Sequence, residues 1–139
     1  MKVKLICCIS LLLLICFVIS CESETTIEFK RYYSVGATVY QAHCQNCHGV
    51  NGEGFALLVP PLNDSAYLKT NKRSLACYIK SGLKGTITVS TKAFDDAMPP
   101  NDLSTMEIAQ VLTYVGNSFG NKMGTINQEQ VETYLAKCR

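Results

Sequence analysis

The sequence predicts a single small all-α domain with one short β-hairpin and an extra helix near its C-terminus. Three observations carry this. Apolar residues recur at helical spacing in segments near residues 34–47, 72–81, 104–117 and 127–137. One stretch, Thr86-Ile87-Thr88-Val89-Ser90, alternates polar and apolar residues with β-branched side chains, as a strand does. A chain of 139 residues has room for one core. The formal net charge is +2, with no long block of like charge and no phosphate-cradling glycine motif, so the sequence gives no sign of nucleic acid as a partner.

The first 20 residues read as a targeting segment outside the fold. Lys2 and Lys4 precede a run from Leu5 to Ile19 with almost no polar residue. The run is shorter than the roughly 20 apolar residues of a spanning helix and sits where a secretory signal sits. It ends in Val18-Ile19-Ser20-Cys21, which resembles a bacterial lipobox, whose cysteine becomes the lipidated first residue of the mature protein. Cys21 is therefore the candidate lipidation site. The protein is then expected in the cell envelope, exported and held on a membrane facing the periplasm. Ordinary signal cleavage, or an uncleaved anchor with Cys21 as a bystander, remain as alternatives. Cys7, Cys8 and Cys16 leave with the signal, and without Lys2 and Lys4 the basic side chains equal the 11 acidic ones. Residues 21–33 are read as a polar tether and residues 34–139 as the domain.

The first predicted helix starts at Ser34 as N-cap and runs to Cys47. Val35, Val39 and Ala42 follow helical spacing, and Gly36, Tyr40 and Cys44 stand four apart on one face. It ends in Cys44-Gln45-Asn46-Cys47-His48. This is the C-x-x-C-H form of c-type haem attachment. Two thiols that add to the vinyl groups of one porphyrin must lie a fixed short distance apart, and the next residue can serve as proximal iron ligand. A C-x-x-C pair alone also occurs in thiol–disulfide oxidoreductases and zinc sites. The first of these calls for a βαβ layout, whereas the flanking pattern here is helical.

A glycine-rich loop, Gly49 to Gly54, leads to Val59-Pro60-Pro61-Leu62. Asn71 is placed to cap a helix over Lys72–Ser81, with Leu75, Tyr78 and Ile79 as its apolar stripe and Gly82 at its end. The alternating stretch after it predicts a strand or hairpin, although Ser90-Thr91 is a poor match to a tight primed turn. Ala97-Met98-Pro99-Pro100 follows. Ser104 and Glu107 form a capping box for a helix to about Asn117, with Ile108, Val111, Leu112 and Val115 on one face. Gly120 to Gly124 reads as a linker to a helix from Asn127 to Lys137, with Val131, Tyr134 and Leu135 inward.

Taken in order, these elements from about Ser34 to Phe119 resemble the class I c-type cytochromes. The resemblance implies a cytochrome c-like helical domain around one covalent haem c, held by Cys44 and Cys47. It implies His48 and Met98 as axial iron ligands, since the family's distal ligand is a methionine followed by proline. It implies that the Pro60 carbonyl accepts a hydrogen bond from His48 and that Leu62 packs on the porphyrin. It also implies that Gly36 and Tyr40 cross the later helix at Val111 and Tyr114. Elimination agrees with the ligand set. His43 is the other histidine and is tied to the attachment helix, while Met106 and Met123 read as packing or surface residues. With those cysteines assigned, Cys77 and Cys138 remain, and outside the cytoplasm they are expected to form a disulfide. Its loop of about 60 residues contributes ~4 kcal/mol in the chain-entropy model, before strain. Two free buried thiols are the alternative. The chain has no tryptophan, with which many relatives hold a haem propionate, and Tyr67 and Tyr78 are both candidate replacements.

The functional expectation is a membrane-anchored monohaem cytochrome that shuttles single electrons between respiratory redox partners and is not itself an enzyme. A quinol-oxidising complex, a terminal oxidase and a nitrogen-oxide reductase all fit as partners. The alternative is a haem-based ligand sensor or peroxidase-like protein with a labile Met98. From Lys69 to Lys92 there are six basic residues and no acidic one, and Lys80 and Lys84 are candidate steering charges for an acidic partner.

Overall fold

The structure, a computed structural model, describes residues 23–138. The signal segment and Cys21 lie outside the described residues. Six helices and one two-stranded hairpin are present among those described: α1 (Glu24–His43), α2 (Gln45–His48), α3 (Ser65–Thr70), α4 (Lys72–Ser81), β1 (Ile87–Val89), β2 (Lys92–Phe94), α5 (Thr105–Val115) and α6 (Gln128–Leu135). None of the helices described is long and apolar enough to cross a membrane.

The fold is organised by the crossing of α1 over α5. Gly36 is the small residue at that crossing. A Cβ placed on it would run into the Gln110 backbone carbonyl and lie 2.9 Å from Tyr114 Cβ. Rings close around the contact. Tyr40 and Tyr114 have centroids 5.3 Å apart, Tyr33 and Tyr114 5.2 Å, and Phe119 stands edge-on to Tyr114 at 5.8 Å. Ile108, Val111 and Leu112 of α5 are buried, as its amphipathic pattern requires. Ser104 and Glu107 make the predicted capping box, each side chain satisfying the other's backbone N–H.

The tether reading of residues 21–33 is corrected for most of its length, because α1 begins ten residues before Ser34. Ser34 is not its cap, since its Oγ donates back to the Arg31 carbonyl within the helix. The stripe Gly36–Tyr40 extends backwards through Tyr32, which is 4% exposed, and Phe29 stacks on Tyr33. These contacts recruit the polar N-terminal turns into the helix. At its other end α1 breaks at Cys44, and the C-x-x-C-H turn forms the short α2.

α4 has the predicted bounds, yet Asn71 does not cap it with its side chain. Its Nδ2 donates instead to the Tyr67 carbonyl at the end of α3. α3 was not foreseen. Asp64 caps it, with Oδ1 accepting from Tyr67 N at 2.9 Å. The hairpin pairs Ile87 with Phe94 and Val89 with Lys92. Its turn residues Ser90 and Thr91 both have positive φ, so the primed turn forms without the usual Asn-Gly. Asp64 Oδ2 accepts from both Ser90 N and Ser90 Oγ at 2.9 Å, which compensates for the poor turn residues.

The Gly120–Gly124 linker is likewise a fixed element. Asn117 Oδ1 accepts from Met123 N and Gly124 N, and Asn121 is buried. α6 follows, with Asn127 and Gln130 as a second capping box, and Val131 fully buried. Cys77 on α4 and Cys138 after α6 lie at disulfide distance, with sulfurs 2.03 Å apart.

Two outcomes follow. Gly36→Ala forces α1 and α5 apart at a backbone carbonyl and is expected to lower stability by about 3 kcal/mol, read from the guanidinium midpoint. Hydrogen bonds from Tyr67 N and then Ser90 hold the Asp64 carboxyl below its ordinary pKa. A carboxyl with a depressed folded-state pKa stabilises above its unfolded value, near 4, and loses that contribution as pH falls through the folded value. Asp64→Asn should flatten this acid limb of stability below about pH 4 in thermal melts.

Candidate haem site

A cleft of about 720 Å³, counting its part open to solvent, lies beside the α1–α5 crossing. Its lining is almost wholly apolar. The expected site residues Cys44, His48, Pro60, Leu62 and Met98 all line it, and α5 contributes Val111, Leu112 and Val115. Cys47 is exposed and stays out of the lining; its backbone N–H donates to the Cys44 carbonyl at 3.2 Å.

His48 is positioned at both ends of its segment. Its backbone N–H donates to the Cys44 carbonyl at 2.9 Å, which keeps the attachment turn wound. Its Nδ1 lies 3.1 Å from the Pro60 carbonyl, the acceptor that the sequence had singled out. A carbonyl can only accept, so Nδ1 carries the proton and the Nε2 lone pair of the neutral ring is available to a metal. Burial holds the imidazole below its ordinary pKa, while the Pro60 bond acts in the opposite direction. Burial, with Cys47 alongside, pushes the Cys44 thiol up to about 11.

Met98 enters the cleft from the loop after the hairpin. Its backbone is pinned to Leu83 by two hydrogen bonds, Leu83 N to Met98 O at 2.9 Å and Met98 N to Leu83 O at 3.0 Å. Gly82, with φ of 76°, lets this loop pass close, since a Cβ there would sit 2.6 Å from the Met98 carbonyl oxygen. His43 is exposed on α1 and does not line the cleft, and neither do Met106 and Met123, which pack against the core.

Several lining residues escaped the sequence reading. Leu68 comes from α3, and Leu83, Ile87 and Val89 from the segment that holds Met98. Asn63-Asp64-Ser65 before an apolar Leu68 is a capping signal that could have revealed α3. Tyr67 and Tyr78 both line the cleft, and burial, then the neighbouring Tyr78, pushes the Tyr67 hydroxyl up to about 12. Asn121 is a positioning residue with no local sequence signal. Its Nδ2 donates to the carbonyls of Leu62 and Val115, and its Oδ1 accepts from Ser65 Oγ at 2.6 Å. It thereby ties the proximal loop to the ends of α3 and α5.

The donor set fits a haem attached through thioethers. An apolar slot has a thiol at the end of α1, an imidazole with Nε2 free and a thioether on a fixed loop. Other uses of the C-x-x-C pair fit less well. The motif lies between helices, and among the described residues no group of three or more His, Cys, Asp or Glu is placed to hold a metal ion.

Comparison with known proteins gives the same reading. Residues 33–118 match the family model described as cytochrome c. The chain is 34% identical over 101 residues to the alcohol dehydrogenase (quinone) cytochrome c subunit of Gluconacetobacter polyoxogenes, and equally to that of Komagataeibacter europaeus. Each match covers 69% of this chain and 21% of the relative, so the chain spans about a fifth of the length of these curated relatives. The chain belongs to the cytochrome c family: it is a class I c-type cytochrome that carries covalent haem c and transfers electrons rather than catalysing a reaction of its own.

Proposed function

We propose that this chain is a lipid-anchored monohaem carrier in which Cys44 and Cys47 hold the haem by thioethers and His48 and Met98 fill both axial positions. The observation that carries this reading is the convergence of His48 and Met98 on one apolar cleft. When bound, the haem iron takes up and releases one electron. The protein residues do the rest. Pro60 orients the imidazole, Leu83 fixes the methionine backbone, and the apolar walls exclude water from the iron. A thioether is a soft ligand that favours the ferrous state, so Met98 raises the potential. The paired hydrogen bonds to Leu83 favour a carrier over a sensor with a labile methionine.

Anchoring through Cys21 places the protein on a membrane facing the periplasm, with membrane-associated redox proteins as partners. The curated relatives are cytochrome c subunits of a quinone alcohol dehydrogenase, and a quinone-linked dehydrogenase joins the quinol-oxidising complex, terminal oxidase and nitrogen-oxide reductase as a fitting partner.

As the docking surface we propose an apolar loop in addition to the basic stretch. Lys80 Nζ is engaged by Asp102 at 3.1 Å and by the Leu103 carbonyl at 3.0 Å. Close behind the attachment turn, Val50, Phe55, Leu57 and Leu58 are exposed, between 48% and 63%. Their loop is braced by reciprocal hydrogen bonds of 3.0 Å between Phe55 and Val59. Contact through this loop is apolar and weakly dependent on salt.

Two measurements test the reading. The oxidised holoprotein should show a low-spin spectrum with a sulfur-to-iron charge-transfer band that Met98→Ala abolishes; a high-spin wild type would return the sensor reading. Phe55→Ser with Leu57→Ser should slow electron exchange with the partner by about tenfold, as loss of two apolar contacts implies, and Lys84→Glu should change it by less than about twofold at low salt.

A further inference from the structure

We propose that α1 is a rigid post that meets the lipid surface at its first turns and holds the haem cleft at its far end. The inference rests on the reading of Cys21 as the lipidated residue and deepens it by giving the domain a fixed stance.

The argument begins with the length of chain between anchor and helix. α1 is already hydrogen-bonded at Ser23, whose carbonyl accepts from Thr26 N at 2.9 Å and Ile27 N at 3.2 Å. The Ser23 hydroxyl lies 2.9 Å from those of Thr25 and Thr26. Two peptide steps separate Cys21 from Ser23, and an extended chain gains at most about 3.6 Å per residue. The lipidated end is therefore within roughly 7 Å of the helix start. A polar tether of the kind read from residues 21–33 would let the domain range far from the membrane, whereas a link this short keeps the first turns of α1 at the lipid surface.

The second part is rigidity. α1 is fastened to the body from its third turn. Phe29 stacks on Tyr33, Tyr32 is buried, and Tyr33 OH lies 3.0 Å from Ser118 Oγ. Before that point residues 23–27 are all exposed, and Ile27 presents 53% of its surface. An exposed isoleucine in the first turn of α1, six residues from the lipidated cysteine, fits the headgroup–acyl boundary of a phospholipid bilayer. The 20 residues of α1 then set the height of the other end, about 30 Å for an upright helix. Cys44 and the cleft begin there.

The test uses the lipidated holoprotein bound to phosphatidylcholine–phosphatidylglycerol vesicles that contain a lipid with a nitroxide headgroup. A fluorophore is attached in turn to Ile27→Cys, Val35→Cys and Val50→Cys, three exposed positions along and beyond α1. Quenching is expected to be strong at 27, weaker at 35 and at background at 50. A glycine–serine insertion of six residues between Glu22 and Ser23 should erase this gradient while leaving the protein on the vesicles. Equal quenching at 27 and 50 in vesicle-bound protein, or a gradient that survives the insertion, overturns the rigid post and leaves the anchor reading intact. Failure of the wild type to sediment with vesicles, with Cys21→Ser behaving the same, overturns both.

Discussion

Everything in this fold depends on one close approach, that of Gly36 on α1 to the Gln110 carbonyl on α5. Two helices far apart in sequence meet there at backbone distance because position 36 has no side chain. The approach draws Tyr33, Tyr40, Tyr114 and Phe119 into one aromatic cluster beside the crossing. It also brings Cys44, four residues beyond Tyr40, level with Val111 and Val115. The cleft is thus the space left between two helices whose separation is set elsewhere. Tyr40 links crossing and site directly, because its hydroxyl donates to the Gly49 carbonyl at 2.7 Å, next to His48.

Around that crossing the cleft is finished by segments with little regular structure. Pro60 and Leu62 come from a loop held by Asn121, and Met98 from a loop held by Leu83. A loop that lines a cofactor cleft must be as well placed as a helix if its side chains are to stay in register with the rest of the lining. Here backbone hydrogen bonds and buried amides supply that placement. Asp64 does the same on the hairpin side, joining the start of α3 to the turn at Ser90.

What the sequence revealed was the chemistry that acts over short distances. The C-x-x-C-H turn, the Ser104–Glu107 box and the Asn127–Gln130 box are complete within a few residues, and the first two were read directly. Pro60 and Met98 were legible because a proline neighbour or a fixed order marks them. The errors fell where a distant partner decides. Ser34 looks like a cap until Tyr32 and Tyr33 find α5 and Ser118. Ser90-Thr91 looks like a poor turn until Asp64 reaches it. Gly120–Gly124 looks like a linker until Asn117 binds its backbone and Asn121, within it, donates to the Leu62 and Val115 carbonyls. A one-dimensional pattern contains no record of such partners.

The tie between Cys77 and Cys138 encloses the hairpin, the Met98 loop, α5 and α6 in one covalent ring. The attachment turn lies outside that ring. A protease that cuts the exposed Asp95–Asp96 bend therefore opens the ring without releasing a fragment. The piece carrying Met98 remains joined to the piece carrying His48, and a chain nicked there migrates as a single molecule until a reductant separates it. In the intact cytochrome the segments carrying His48 and Met98 are joined by two independent covalent routes, one along the backbone and one through sulfur.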